Sequence, residues 1–207
     1  MSLVDMAGKA AIVTGGARGI GRGIVTALAQ AGASVAIADV RADMAEQTAA
    51  EVGKATGAQV IALKTDVTSL SEVQATTDLV LKAFGKIDAL INNAGWDELK
   101  PFLETTPDLW EKIIAINYKS VLHTCYAVLP HLVERKQGAV VSIASDAGRV
   151  GSMGEAVYSG AKAAIIAFSR TIAREHTRKR HGARRVHYPP GATRSGQHEQ
   201  ARWRECG

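Results

Sequence analysis

Thr14-Gly15-Gly16-Ala17-Arg18-Gly19-Ile20-Gly21 decides how the rest of the chain is read. An apolar run, residues 10–13, leads into it, and a helix-period pattern over 20–31 leaves it. A buried strand, a glycine turn and a helix in that order open a βαβ unit of the kind that binds dinucleotides. Glycines let the backbone turn tightly and approach a pyrophosphate closely. The helix start then directs free N–H groups and the positive end of its dipole at the anion. Gly15, Gly19 and Gly21 are spaced as TGxxxGxG, with Arg18 and Ile20 in the same turn. Glycine turns before helices are common, so the motif requires agreement from other residues.

Outward from the turn, the pattern alternates between strand and helix. Residues 10–14 read as a first strand and 20–31 as a helix stopped by Gly32. Residues 35–39 form a nearly all-apolar strand, as expected where both faces are covered. A helix over 42–56 ends at Gly57, and a strand follows at 60–63. Ser69 or Ser71 caps a helix running to Phe84, before Gly85. Strands at 87–91 and 139–144 enclose one long helix, 109–135, in which Pro130 is expected to kink or shorten the last turns. A final helix covers 155–178. This alternation predicts an α/β fold: a doubly wound, Rossmann-like parallel sheet with helices on both faces.

The 207 residues suit one domain, 1–207, and 46% of them are apolar. No apolar run is long enough to span a bilayer. The first apolar stretch leads into the glycine turn rather than a cleavage site, so a cytoplasmic protein is expected. Cys125 and Cys206 form neither a pairing pattern nor a metal-ligand pattern. The net charge is +5, but residues 1–173 carry 16 Lys/Arg against 17 Asp/Glu, while 174–207 carry 9 against 3. A basic tail can hold polyanions. This one lacks interleaved aromatics beyond Tyr188 and Trp203, so no nucleic-acid partner is expected.

Asp39 ends the second strand, 18 residues after Gly21. A carboxylate there accepts from both adenosine ribose hydroxyls and repels a 2′-phosphate, which favours NAD. Arg18 pulls the other way, since it could meet such a phosphate. Asp66-Val67 reads equally as a contact for the adenine amino group or as a turn. The amides of Asn92-Asn93-Ala94-Gly95 suit a cofactor crevice at a strand end. Tyr158 and Lys162 are four apart on a helix and share a face. A nearby ammonium is expected to stabilise the phenolate and lower its pKa. Ser145, past the strand at 139–144, can bond the same substrate oxygen. Asn117 reads as a backbone clamp, as the holder of a water leading to Lys162, or as a buried structural amide.

The ordered set TGGARGIG, Asp39, Asp66-Val67, NNAG, Asn117, Ser145 and Tyr158-x-x-x-Lys162 resembles the short-chain dehydrogenase/reductase family of the NAD-preferring type. The resemblance covers about residues 9–175. It implies a seven-stranded sheet ordered 3-2-1-4-5-6-7, and Asn117, Ser145, Tyr158 and Lys162 as a catalytic tetrad. It also implies a Lys162 contact to the nicotinamide ribose and a homo-dimer through helices 109–135 and 155–178. The runs Asn92–Asp97, Lys100-Pro101-Phe102 and Ala144–Gly151 are similar to those of 2-hydroxycyclohexanecarboxyl-CoA dehydrogenases. They are similar at greater distance to those of 3-oxoacyl-carrier-protein reductases. The implied activity is hydride transfer between NAD and a secondary alcohol or ketone, with an alicyclic hydroxyacyl-CoA as the finer expectation. A 3-oxoacyl thioester reductase is the alternative.

The chain departs from the family after Arg174. Two adjacent arginines, Arg184-Arg185, precede a lone Val186 where an apolar strand is expected. Pro190-Gly191-Ala192-Thr193 still resembles the segment that contacts the nicotinamide, with Thr193 offering backbone groups to the carboxamide. Only seven of residues 174–207 are apolar. Residues 182–207 are therefore expected to be an atypical, frame-shifted or disordered tail, and the fold to be truncated C-terminally relative to the family. A catalytically impaired cofactor-binding fragment is the remaining alternative.

Overall fold

In the computed structural model, residues 5–177 are described. Five parallel strands form one sheet: β1 (Ala10–Thr14), β2 (Ser34–Asp39), β3 (Val60–Lys64), β4 (Ala89–Asn92) and β5 (Ala139–Ser142). Their order is β3-β2-β1-β4-β5, which agrees with the first five strands of the expected sheet. Ala10–Thr14 pairs in register with Ser34–Ala38 on one side, and Ala11 with Ala89 on the other. β1 is thus the switch point: the chain winds outward from it in both directions, leaving a crevice at the carboxyl ends of the strands.

Period-two alternation explains why both faces are covered. On one face, Ala11 and Val13 of β1 and Val35 and Ile37 of β2 join Val25, Ala29, Ala45 and Val52 in a single buried cluster. These last four come from α1 (Gly19–Gln30) and α2 (Ala42–Thr56). On the other, Ile12, Ala36, Ala38 and Leu90 meet Val80, Val121, Val128, Leu132 and Ile165. That layer is built by α3 (Leu70–Phe84), α5 (Ser120–Glu134) and α7 (Ala156–Thr177). Ser69 caps α3 by accepting from the Glu72 N–H, and Gly57 and Gly85 end α2 and α3 in left-handed conformations.

The expected single helix over 109–135 is three pieces. α4 (Pro107–Ile114) runs into a π segment, Ala115–Lys119, and then into α5. Reading one helical period across 109–135 leaves out the one-residue offset that a widened turn inserts. Pro130 does not break the helix, which continues to Glu134. Pro130 and Tyr126, four residues back, are both exposed, so water can satisfy the carbonyl that loses its partner. The last strand is shorter than expected, ending at Ser142 rather than at residue 144, and a four-residue helix, α6 (Ala147–Val150), follows it. No helix among the described residues is long and apolar enough to cross a membrane. Thr193 and the atypical segment 182–207 lie outside the described residues.

Candidate active site

The glycine turn is pinned from three sides at the carboxyl end of β1. Gly15 adopts φ +63, and its N–H donates to the Ala38 carbonyl at 2.8 Å. A Cβ on Gly21 would stand 2.1 Å from the Gly15 carbonyl oxygen, so no side chain is admissible there. Asn93, expected to touch the cofactor, also clamps this turn. Its amide nitrogen donates to the carbonyls of Thr14 (2.9 Å) and Gly15 (3.0 Å). Thr14 Oγ1 accepts from the N–H groups of Asn93 and Ala94, which ties the ends of β1 and β4 together. Arg18, Gly19 and Ile20 are exposed at the start of α1, and no side chain caps that helix. The twelve-residue helix therefore presents uncapped N–H groups over an open glycine turn, an arrangement that fits a pyrophosphate.

Asp39 lies where the sequence places it, at the end of β2, but it is not a free carboxylate. It is 4% exposed. Its oxygens accept from the Ala17 N–H (3.0 Å), the Arg41 N–H (3.0 Å) and the Arg41 guanidinium (3.3 Å). Sequence reading missed Arg41, whose only signal was a cation two residues beyond the strand. Asp66 forms a turn: Oδ1 accepts from the N–H and hydroxyl of Thr68 at 2.8 and 2.7 Å. The Val67 carbonyl is engaged by His123 Nδ1 at 3.1 Å.

The remaining expected residues converge beyond β4 and β5. Asn117 is fully buried within the π segment. Its Oδ1 accepts from the Trp96 N–H (3.3 Å), and its Nδ2 donates to the carbonyls of Trp96 (2.6 Å) and Ile113 (2.9 Å). Of the readings open for this residue, the backbone clamp is the one the hydrogen bonds describe. A Cβ on Gly95 would lie 3.0 Å from Asn117 Oδ1 and 3.4 Å from Lys162 Nζ, so both side chains close on this one backbone position. Lys162 is 4% exposed and donates to the Ile143 carbonyl at 3.1 Å. Gly148 of α6 lets the loop after β5 press against α7, since a Cβ there would meet the Lys162 carbonyl carbon at 2.7 Å. The Ser145 hydroxyl accepts from the Ala147 N–H and shares a hydrogen bond with Tyr158.

One electrostatic expectation is overturned. The Tyr158 hydroxyl sits above its ordinary range, not below it. Burial is the main cause, the Ser145 hydrogen bond opposes it, and the carboxyl groups of Glu155 and Asp97 add to it. The Lys162 ammonium is 5.4 Å from the Tyr158 ring centroid and turned to a backbone carbonyl. Burial pulls its own pKa down. Asp97 and Glu155, which the sequence did not single out as site residues, thus belong to the surroundings of Tyr158. A phenol, a hydroxyl and a buried ammonium so grouped can hydrogen-bond one substrate oxygen and pass a proton to it.

A family model described as short chain dehydrogenase matches residues 9–205. The 3-oxoacyl-[acyl-carrier-protein] reductase of Chlamydia muridarum is 36% identical over 167 residues, which are 81% of this chain and 67% of the relative. D-threitol dehydrogenase of Mycolicibacterium smegmatis is 38% identical over 168 residues, 81% of this chain and 64% of the relative. The structure of an NAD+-bound xylitol dehydrogenase superposes with a TM-score of 0.81 at 33% identity, covering 84% of this chain and 66% of that one. The chain spans about two thirds of the length of these proteins.

Proposed function

The chain belongs to the short-chain dehydrogenase family of oxidoreductases, and from that premise we propose that it interconverts a secondary alcohol and a ketone with NAD. The observation that carries the reading is the grouping of Ser145, Tyr158 and Lys162, with Lys162 Nζ beside Gly95, at the same carboxyl ends of the strands as the glycine turn and Asp39. When bound, the nicotinamide cofactor supplies or accepts the hydride. The uncapped start of α1, with Gly15, Arg18, Gly19, Ile20 and Gly21, receives the pyrophosphate. Asp39 takes the adenosine ribose, for which the Arg41 side chain must yield part of its hold. The same carboxylate repels a 2′-phosphate, which supports NAD over NADP. Ser145 orients the substrate oxygen, and Tyr158 Oη gives or takes its proton. Lys162 and Asn117 hold the floor of the site, and Thr193 is proposed to meet the carboxamide.

Two substrate classes compete. The likeness of the Asn92–Asp97 and Ala144–Gly151 runs to dehydrogenases of cyclic hydroxyacyl-CoA thioesters supports an alicyclic thioester. Similarity to 3-oxoacyl reductases supports a linear one, for which the 36% identity is the specific observation. Helices 107–134 and 156–177 are proposed to form a dimer contact, and the cytoplasm is the proposed compartment.

The test is a panel of cyclic hydroxyacyl-CoA thioesters, 3-oxoacyl thioesters and linear polyols, each with NAD and NADP, on the parent chain and Tyr158→Phe. Loss of the phenol should cut turnover about 100-fold or more while NADH fluorescence titrations stay unchanged. A Tyr158→Phe variant that retains most of its turnover would place proton transfer elsewhere. Equal affinity for NAD and NADP would remove the role given to Asp39.

A further inference from the structure

The turn after β3 hangs from the residue assigned to the adenosine ribose. The Thr65 N–H donates to the Asp39 carbonyl at 3.0 Å, so Asp66 and Val67 stand directly beside the end of β2. A base lies next to its own ribose, and the fold therefore puts this turn where an adenine edge would come. Local bonds shape it. Asp66 Oδ1 takes both bonds from Thr68, and among the described residues Oδ2 accepts none. The Asp66 N–H donates to Glu72 Oε2 at 2.9 Å, and the Asp66 carbonyl accepts from the Ser69 N–H at 3.0 Å. Thr65 and Thr76 share a hydroxyl bond of 2.7 Å beneath.

None of these local bonds reaches the Val67 carbonyl. That group is met from across the helix layer by His123, 56 residues further on, whose Nδ1 lies 3.1 Å away. A carbonyl oxygen can only accept, so Nδ1 carries the proton. Val67 is buried, and a buried carbonyl deprived of its donor is costly to leave unpaired. His123 sits in the first turn of α5, six residues after Asn117. Its neighbour Thr124 donates to Asn92 Oδ1 at 2.7 Å, which fastens that turn of helix to the end of β4. The imidazole thus reaches the 66–68 turn from a fixed base.

We propose that His123 is a positioning residue for the adenine end of the cofactor. By holding the Val67 carbonyl, it sets the 66–68 turn so that Asp66 Oδ2 accepts from the adenine 6-amino group. Together with Asn117, it makes one helical run answer for both ends of the site. The inference rests on the reading of the chain as an NAD-binding protein with Asp66-Val67 at the adenine.

The experiment needs no substrate. NADH and its hypoxanthine analogue, which carries an oxo group in place of the 6-amino group, are titrated by fluorescence against the purified full chain. The parent should bind NADH about tenfold or more tighter than the analogue. In His123→Ala that preference should fall to about twofold or less, while affinity for the analogue stays close to that of the parent. His123→Asn should restore the preference, because its amide N–H can take the place of Nδ1. His123→Leu, which keeps the volume and removes the donor, should behave as His123→Ala and decides the matter if the smaller side chain fails to fold. A general structural role would weaken both ligands equally, and that result overturns the proposal. So does a preference that survives in His123→Ala or His123→Leu. A parent that binds both ligands alike removes the adenine role of this turn, and the proposal with it, while leaving the NAD reading intact. A parent that binds neither overturns both.

Discussion

Removing the Asn117 amide should unfasten the floor of the site. Asn117→Ala deletes one acceptor and two donors in a position with no solvent access. The Trp96 N–H, the Trp96 carbonyl and the Ile113 carbonyl each lose a partner. An orphaned buried group costs about 1–3 kcal/mol. Trp96 is only half-buried, so water can recover part of that loss, whereas Ile113 is 3% exposed. The net expectation is roughly 2–4 kcal/mol, a large share of the 5–15 kcal/mol that holds a typical domain together. With a urea slope of about 2 kcal/mol per molar, the unfolding midpoint should fall by about 1–2 M. Tryptophan fluorescence reads it directly, since Trp96 is a partner of the amide. Asn117→Asp sharpens the test. Its carboxylate would face two carbonyls, so its folded-state pKa would lie above the unfolded one. The penalty would then be present at neutral pH and relieved as pH falls through the folded value. A midpoint for Asn117→Ala within about 0.3 M of the parent would refute the clamp.

Two further outcomes follow from the same geometry. Gly21→Ala should distort the turn, because its Cβ would overlap the Gly15 carbonyl oxygen at 2.1 Å; isothermal titration with NADH should show binding weakened at least tenfold, and unchanged binding would separate the turn from the cofactor. At Asp88, burial pushes the carboxyl up, but the Ala10 N–H, the Arg135 guanidinium and Lys86 together hold it below its ordinary range. A depressed folded value means that the stabilisation is present above the unfolded pKa and lost as pH falls through the folded one. Asp88→Asn should therefore be less stable by about 1.5–3 kcal/mol near neutrality, with the gap to the parent closing in acid. A gap that stays constant down to acid unfolding would assign the loss to something other than this charge.

Features that depend on local rules were legible in the chain. The strand, glycine turn and helix at 10–30, the cap at Ser69 and the helix ends at Gly57 and Gly85 are each fixed by residues within one turn of the feature. Tyr158 and Lys162 were singled out because they share a helix face, yet the direction expected for the Tyr158 hydroxyl was opposite to the one that burial imposes. Spacing puts an ammonium near a phenol, but says nothing of the Ile143 carbonyl that holds the ammonium or of carboxyl groups arriving from elsewhere. The carboxyl groups of Asp97 and Glu155 act on Tyr158 from segments joined by a backbone bond between Lys100 and Gly154, a tertiary event without a local signature. Arg41 escaped notice for the opposite reason: exposed cations after strands are common, and only the buried Asp39 makes this one matter.

The π segment at Ala115–Lys119 links two properties that are otherwise separate. A helix advances about 100° per residue, so one extra residue in a turn re-phases everything after it by that angle. Val121, Cys125, Val128 and Leu132 face the sheet only in the phase that follows the widened turn. The same turn aims the Asn117 amide inward. Deleting one residue there would restore regular helix, swing the amide out of the site and carry the apolar stripe of α5 off the core in the same rotation. The Asn117 clamp and the core packing of this helix therefore share a single angular setting, and neither can drift while the other stays fixed.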